Sequence, residues 1–431
     1  MSDATEFANS LVIERRHPLH KLNDPATIRA RCGAILAAVE RGVSMHFTLD
    51  RGALPALADR VAALTLKRFP DLRIPLHSRW RHFEPGGVDR KGEMDAQMAA
   101  LGTMEQARAR FDLTVVSVLL DAGAGGSWAY TEAGTGLQLG RSEGLGVASL
   151  RAFLAGTFSS TAGQPLRADA TALQKMDASQ LRAVFQSSPS NPIVGLEGRA
   201  SLLARLGQVL QQEAQRSGLQ ARPGLMFDRI VTDAATGQTR SEVQAVDILG
   251  ELLRTLAPIW PSGSVIKGVP VGDVWPHRWA GDRLADGSAD AVTAGWVPFH
   301  KLSQWLSYSL LEPLQWAGVQ VSGLGALTGL PEYRNGGLLL DGGVIRARDP
   351  RLLDRQWTPQ DEFIVEWRAL TVALLDELAV LVRQRLGQSA EQLPLACILE
   401  GGTWAAGREL ARERRADGGP PLKISSDGTI F

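Results

Sequence analysis

The chain has 431 residues, with 46 basic and 46 acidic side chains and an isoelectric point near 7.1. A nonspecific nucleic-acid binder needs a basic surplus to displace counterions from phosphates, so this balance argues against that class. No window approaches the ~20 apolar residues of a membrane span, and MSDATEFANSLVIERRHPLHK lacks the apolar centre of a signal peptide.

From Pro25, the stretch PATIRARCGAILAAVERG sets Ile28, Cys32, Ile35, Leu36 and Val39 on one helical face, with Asp24 as N-cap and Gly42 closing it. ALPALADRVAALTLKRF reads as the next helix. LTVVSVLLDAG (113–123) reads as a strand, because it is rich in apolar and β-branched residues. A helix follows in GRASLLARLGQVLQQEAQRSG, where Gly218 suits the left-handed position past a C-terminus. RIVTDAATGQTRSEVQAV carries a weaker strand signal around a TGQ turn. Helical spacing returns in VQAVDILGELLRTLA, in HKLSQWLSYSLLEPLQWAG, and in DEFIVEWRALTVALLDELAVLVRQRLG, where Phe363, Trp367, Leu370, Leu374 and Leu378 align. Cys397 lies in the apolar PLACILEG. Two cysteines in such settings are core residues rather than a disulfide framework, and a reducing cytosol is the expected compartment. The expected fold is mainly α, one large helical domain over residues 1–431 with a few short strands.

Four intervening stretches gather His, Trp, Arg, Tyr and Gly: 76–90, 125–146, 267–282 and 328–343. Long loops inside a compact fold are usually either functional or disordered, and the aromatics in these segments disfavour disorder. In an extended 76–90 segment, His77, Arg79 and Arg81 would share one face, a pattern suited either to an anion or to a solvated strand. Trp128 and Tyr130 suit either stacking on a planar group or the core. Asp273 and His277 stand four apart, but Pro276 argues against a helix there; a capping Asp and a backbone-satisfied His are the simpler reading. Glu332-Tyr333-Arg334-Asn335 is the densest polar cluster, with glycines on both sides. Its carboxylate and guanidinium fit a structural ion pair as well as they fit catalysis. His-x₃-His and His-Glu-x-x-His spacings are absent, so no metal is expected. With no GxxxxGK[ST] loop and no GxGxxG after a strand, no cofactor is expected either, and serine-hydrolase chemistry is set aside on the reading that the chain lacks a GxSxG elbow.

HSRWRHF, GRSEGLG, SNPIVGLEGR, GDVWPH, PFHKLSQWL, TGLPEYRNGG and the terminal SSDGTIF, in that order along the chain, resemble the uracil-catabolism family. This is the fourth component of the fungal ribosylurea pathway, formerly a domain of unknown function. The resemblance implies a place in a route that opens and degrades uracil carried as its ribonucleotide. More distantly, the C-terminal third is similar to the queuosine-salvage nucleosidases, helical proteins themselves like DNA glycosylases. Pro298-Phe299-His300-Lys301, Glu332-Tyr333-Arg334 and Thr429-Ile430-Phe431 match that family's motifs, with Glu in place of its catalytic Asp and Asn335-Gly336-Gly337 in place of its Val-Pro-Gln.

Together these resemblances imply an N-ribosidic hydrolase acting on ribosylurea 5-phosphate or a related ribonucleotide. Glu332 would stabilise the oxocarbenium-like sugar and attack C1′ or activate water, with Arg334 holding it ionised. Lys301, with His300 beside it and Arg79 or Arg81 across from it, would clamp the phosphate. Trp128 and Tyr130 would stack on the urea or base. Asp273 or His277 would supply an acid for the leaving group. Two other readings share these residues: an amidohydrolase acting on the ring-opened uracil nucleotide, and a non-catalytic nucleotide-binding subunit.

Overall fold

A computed structural model describes residues 17–121, 123–260, 263–281, 287–288 and 290–425. It is mainly α, as expected. The first long helix runs Pro25–Glu40: Asp24 accepts from the Ala26 N–H at 2.9 Å, Pro25 occupies the first turn, and Gly42 follows at φ +76°. Ile28, Cys32, Ile35, Leu36 and Val39 are all buried. Helices also form at Leu54–Arg68, Leu196–Ser217, Ala245–Leu256, Lys301–Trp316 and Glu362–Leu386. Gly218 takes the left-handed conformation at φ +69°.

The strand expected at 113–123 is instead the second half of a helix, Thr103–Leu119. Residues 109–119 are all buried, so this helix has no polar face to betray its period. An uninterrupted apolar run reads alike as a buried strand or a buried helix. Its one carboxylate there, Asp112, is matched by Arg222 and by the backbone N–H groups of Ala168 and Gly224. RIVTDAATGQTRSEVQAV begins inside the helix Gly224–Val231. Beyond it, a Thr232–Thr239 bridge closes a turn, and Glu242–Gln244 pairs in parallel with Gln320–Ser322.

Among the described residues the strands occur only as two-stranded pieces. The stretches read as loops are largely built of local structure. The 125–146 segment is a hairpin, Ala129–Thr131 against Gln138–Gly140, running into the helix Arg141–Leu154. In 267–282, Val274–Pro276 pairs with Trp296–Pro298, and 328–343 holds the helix Tyr333–Asp341. One apolar cluster runs from Ile28 to Leu422. No helix among the described residues is long and apolar enough to cross a membrane.

The Tyr333–Asp341 helix is wedged between two others, and two glycines make this possible. A Cβ on Gly407, in the helix Trp404–Arg414, would lie 2.2 Å from the Arg334 carbonyl oxygen. On the opposite side, a Cβ on Gly336 would lie 2.2 Å from Cζ2 of Trp367, whose indole N–H donates to the Gly336 carbonyl at 3.1 Å. Gly336→Ala should therefore destabilise the protein by about 1–3 kcal/mol, the usual range for overpacking a filled core. A urea midpoint unchanged by this substitution would contradict the packing argument.

Candidate active site

Three helices begin at one cavity of about 590 Å³. They are Arg141–Leu154, Lys301–Trp316 and Tyr333–Asp341, and the partial positive charge of each N-terminus is directed toward it. The volume is that of a small-molecule pocket.

Glu332 is the N-cap of the Tyr333 helix and lines the cavity. Its two carboxylate oxygens accept from the backbone N–H groups of Arg334 and Asn335, both at 2.7 Å. Arg334 thus meets Glu332 through its backbone N–H. The Arg334 guanidinium instead donates to the Gly418 carbonyl at 3.3 Å. Lys301 shares the cavity: burial lowers its ammonium from the ordinary lysine value, and the nearby Glu332 carboxylate opposes that shift.

Lys301 is held from below by Asp273. One oxygen of that carboxylate accepts the Lys301 backbone N–H at 3.0 Å, the other the Trp275 indole at 2.7 Å. Arg368 donates to both oxygens at 2.8 and 2.7 Å. Burial pushes Asp273 up, but Arg368 and the other donors outweigh it and hold the carboxyl at about 2. Asp273 is outside the main cavity, beneath its floor, and it is ionised; neither property suits an acid for the leaving group. His277 is also elsewhere. Its Nδ1 accepts from the Trp279 N–H at 3.1 Å, and its Nε2 faces Glu366 at 3.3 Å. His300 is buried in the left-handed region at φ +47°, with Nε2 2.9 Å from the Leu22 carbonyl. It sets the turn before Lys301 and does not line the cavity.

The 76–90 segment is not extended. Arg79–Phe83 is a 3-10 turn, so His77, Arg79 and Arg81 do not share a face. Arg81 pairs with Glu312 at 2.6 Å and Glu84 at 2.7 Å. Arg79 is fully buried and donates to Ser117 and Asp121 at 2.6 Å and to the Ser142 carbonyl at 3.1 Å; its Nη1 is also 3.2 Å from Nδ1 of His82. It thereby ties together Asp121, Ser142 and His82, all of which line the cavity. Burial and the Arg79 charge push the His82 imidazole well below its ordinary value, so it is neutral at pH 7. Trp128 and Tyr130 are core residues: the Trp128 indole donates to the Phe185 carbonyl at 2.8 Å, and neither ring lines the cavity.

In their place the fold supplies Trp305, Trp404 and Tyr333 as the aromatic walls. It also gathers Arg141, Arg334 and Arg408, which reach the cavity from three helices; burial, with the neighbouring guanidinium charges, lowers Arg334 and Arg408 from the ordinary arginine value. Arg408 has Glu143 at 3.6 Å as a counter-charge. Arg334 belongs to the polar cluster already singled out, whereas Arg141 and Arg408 lie 193 and 74 positions from it, so no local spacing joins the three. Gly140-Arg141-Ser142-Glu143-Gly144 corrects the earlier dismissal of serine chemistry on spacing alone. It has the GxSxG pattern, at a strand-to-helix turn with Arg141 at φ +53°. Ser142 reaches the cavity, yet no hydrogen bond joins its hydroxyl to an imidazole among the described residues. Likewise among those residues, no group of three or more His, Cys, Asp or Glu is placed to hold a metal. The terminal Thr429-Ile430-Phe431 motif lies outside the described residues.

Fold and cavity together define a mainly α protein with a charge-lined, aromatic-walled pocket assembled on helix N-termini. Residues 21–431 match the family model described as protein of unknown function (DUF1688), and the chain belongs to that family. It is similar to Protein urg3 of Schizosaccharomyces pombe, 39% identical over 418 residues that span 95% of this chain and 98% of that protein. It is also similar to Uracil catabolism protein 4 of Lachancea kluyveri, 35% identical over 442 residues, 96% of this chain and 99% of that one.

Proposed function

We propose that this chain is a cytosolic hydrolase of uracil degradation that cleaves the N-ribosidic bond of a phosphorylated riboside, ribosylurea 5-phosphate or a close relative. The similarity to a protein named for uracil catabolism supports the pathway. The observation that carries the chemistry is Glu332: an acceptor-only carboxylate, fixed by two backbone N–H groups, on the wall of a cavity it shares with Lys301.

Breaking the C1′–N bond leaves positive charge on the sugar, and a preorganised carboxylate stabilises that charge. The same carboxylate takes the proton of the attacking water. Arg141, Arg334 and Arg408 form the phosphate-binding wall, since guanidinium groups match phosphate oxygens in pairs. Trp305, Trp404 or Tyr333 offers a planar face to the urea or base.

Incubation of purified protein with ribosylurea 5-phosphate and with uridine 5′-phosphate, followed by mass spectrometry, is the direct test. Ribose 5-phosphate is the expected product. Ammonia released without free sugar would favour the amidohydrolase, and unchanged substrate would favour a binding protein. Arg408→Ala removes one charged hydrogen-bonding partner and should raise KM for the phosphorylated substrate about 10- to 100-fold. The unphosphorylated riboside should be affected little; an equal change on both would remove Arg408 from the phosphate wall.

A further inference from the structure

The reaction above needs a proton for the departing nitrogen, and the sequence candidates for that role, Asp273 and His277, are outside the cavity. His77 lines it. The ring lies between Trp305 and Trp404, with centroids 6.4 Å from each, and its backbone N–H donates to the Ala396 carbonyl at 3.1 Å. Its Nδ1 is 2.9 Å from the Glu400 carboxylate. Burial pushes that carboxyl up, but His77 and Arg68 outweigh it and keep it ionised. An ionised carboxylate only accepts, so Nδ1 carries the hydrogen and Nε2 is the nitrogen that gains and loses a proton.

Glu400 stands in an unusual place. Leu399–Thr403 is a π-helical turn inserted between the helices Leu395–Ile398 and Trp404–Arg414, a local insertion that recurs at functional sites. It is pressed against the helix Leu54–Arg68, where a Cβ on Gly402 would lie 2.5 Å from the Thr65 hydroxyl and 2.8 Å from the Val61 carbonyl. The same turn also reaches the other side of the site. The Thr403 hydroxyl donates to the Asn335 side chain at 2.8 Å, and the Asn335 backbone holds Glu332. One turn therefore positions both His77, through Glu400, and Glu332, through Asn335. Two other titratable groups of the cavity wall, Asp121 and His82, are each engaged by Arg79.

We propose that His77, oriented by Glu400, is the general acid that protonates the leaving nitrogen. This rests on the hydrolase reading. As the C1′–N bond breaks, its electron pair goes to nitrogen and the Nε2 proton joins it. Water adds to C1′ and gives one proton to Glu332; exchange with solvent then returns both groups to their starting states. Glu400 is a positioning residue.

The test compares two probes on wild type, His77→Gln, His77→Asn and Glu400→Gln. Ribosylurea 5-phosphate has a nitrogen that leaves poorly without a proton; 4-nitrophenyl β-ribofuranoside 5-phosphate has a phenolate that leaves without one. Both His77 variants should lose about 100-fold or more in kcat on the ribosylurea and stay within about 3-fold of wild type on the nitrophenyl probe. Glu400→Gln should show the same selectivity at about 10-fold. Equal losses on the two probes in both His77 variants would overturn the acid role while leaving the hydrolase intact. A wild-type protein that cleaves neither probe would overturn the hydrolase reading itself.

Discussion

Glu332→Gln is expected to lower turnover by about 10²–10³-fold, the usual effect of deleting one preorganised electrostatic contact, with a further loss if water activation is also removed. The amide keeps the shape of the side chain and removes its charge. Folding should survive with a modest penalty. Glu332 caps the Tyr333 helix through two N–H groups, and exchanging an acidic cap for a neutral one should cost about 1 kcal/mol. No ion pair with Arg334 is broken, because the Arg334 guanidinium is engaged with Gly418. Activity and thermal midpoint measured on one preparation separate the two effects. A fully active variant would remove Glu332 from the chemistry, and an inactive one that has also lost its cooperative transition would make the residue structural.

Asp273→Ala should do the reverse, with stability as its main readout. It would leave the Arg368 guanidinium, wholly buried against the Phe299 ring at 4.2 Å, without its paired carboxylate. Removing one member of such a pair typically costs about 3–5 kcal/mol. A loss below about 1 kcal/mol in urea denaturation would mean the pair is not the support described here. The same carboxylate gives the wild type an acid limb. Its folded-state value of about 2 lies below the ordinary 3.8, so the native state is favoured by about 2–3 kcal/mol above the higher value. That contribution should fade as pH falls from about 4 through 2, and below 2 both states hold the proton. Asp273→Ala should flatten this part of the stability curve. Since the carboxylate also receives the Lys301 backbone N–H, the variant should lose activity as well, through Lys301 and not through a lost acid.

Most of the helices were legible because each carries a signal in its own residues: the Asp24 cap and Pro25 start, the Gly218 stop, and the spacing of Phe363, Trp367, Leu370, Leu374 and Leu378. Glu332 and Lys301 were legible as members of polar motifs, and both stand at helix N-termini on one cavity. Other assignments did not transfer. Arg79 and Arg81, offered as a phosphate clamp or a solvated face, are instead paired internally, and the primary structure does not reveal Asp121, Glu312 or the 3-10 turn that aims the side chains at them. Trp128 and Tyr130 suit a stacking platform or the core equally in sequence, because a Trp or Tyr beside glycines looks the same in either, and the structure places both in the core.

What the sequence determined by itself is therefore the helical class and the family, properties written in periodicity, caps and ordered motifs along the chain. The tertiary structure alone decided which cations reach the cavity, which aromatics wall it, and which histidine on its wall meets a carboxylate. The physical reason is distance. A helix is specified by residues three and four apart, whereas His77 meets Glu400, Arg141 approaches Arg408 and Asp273 supports Lys301 only once separate helices pack. In each case a partner brought by packing sets what the group can do, and that partner is not a neighbour in the chain.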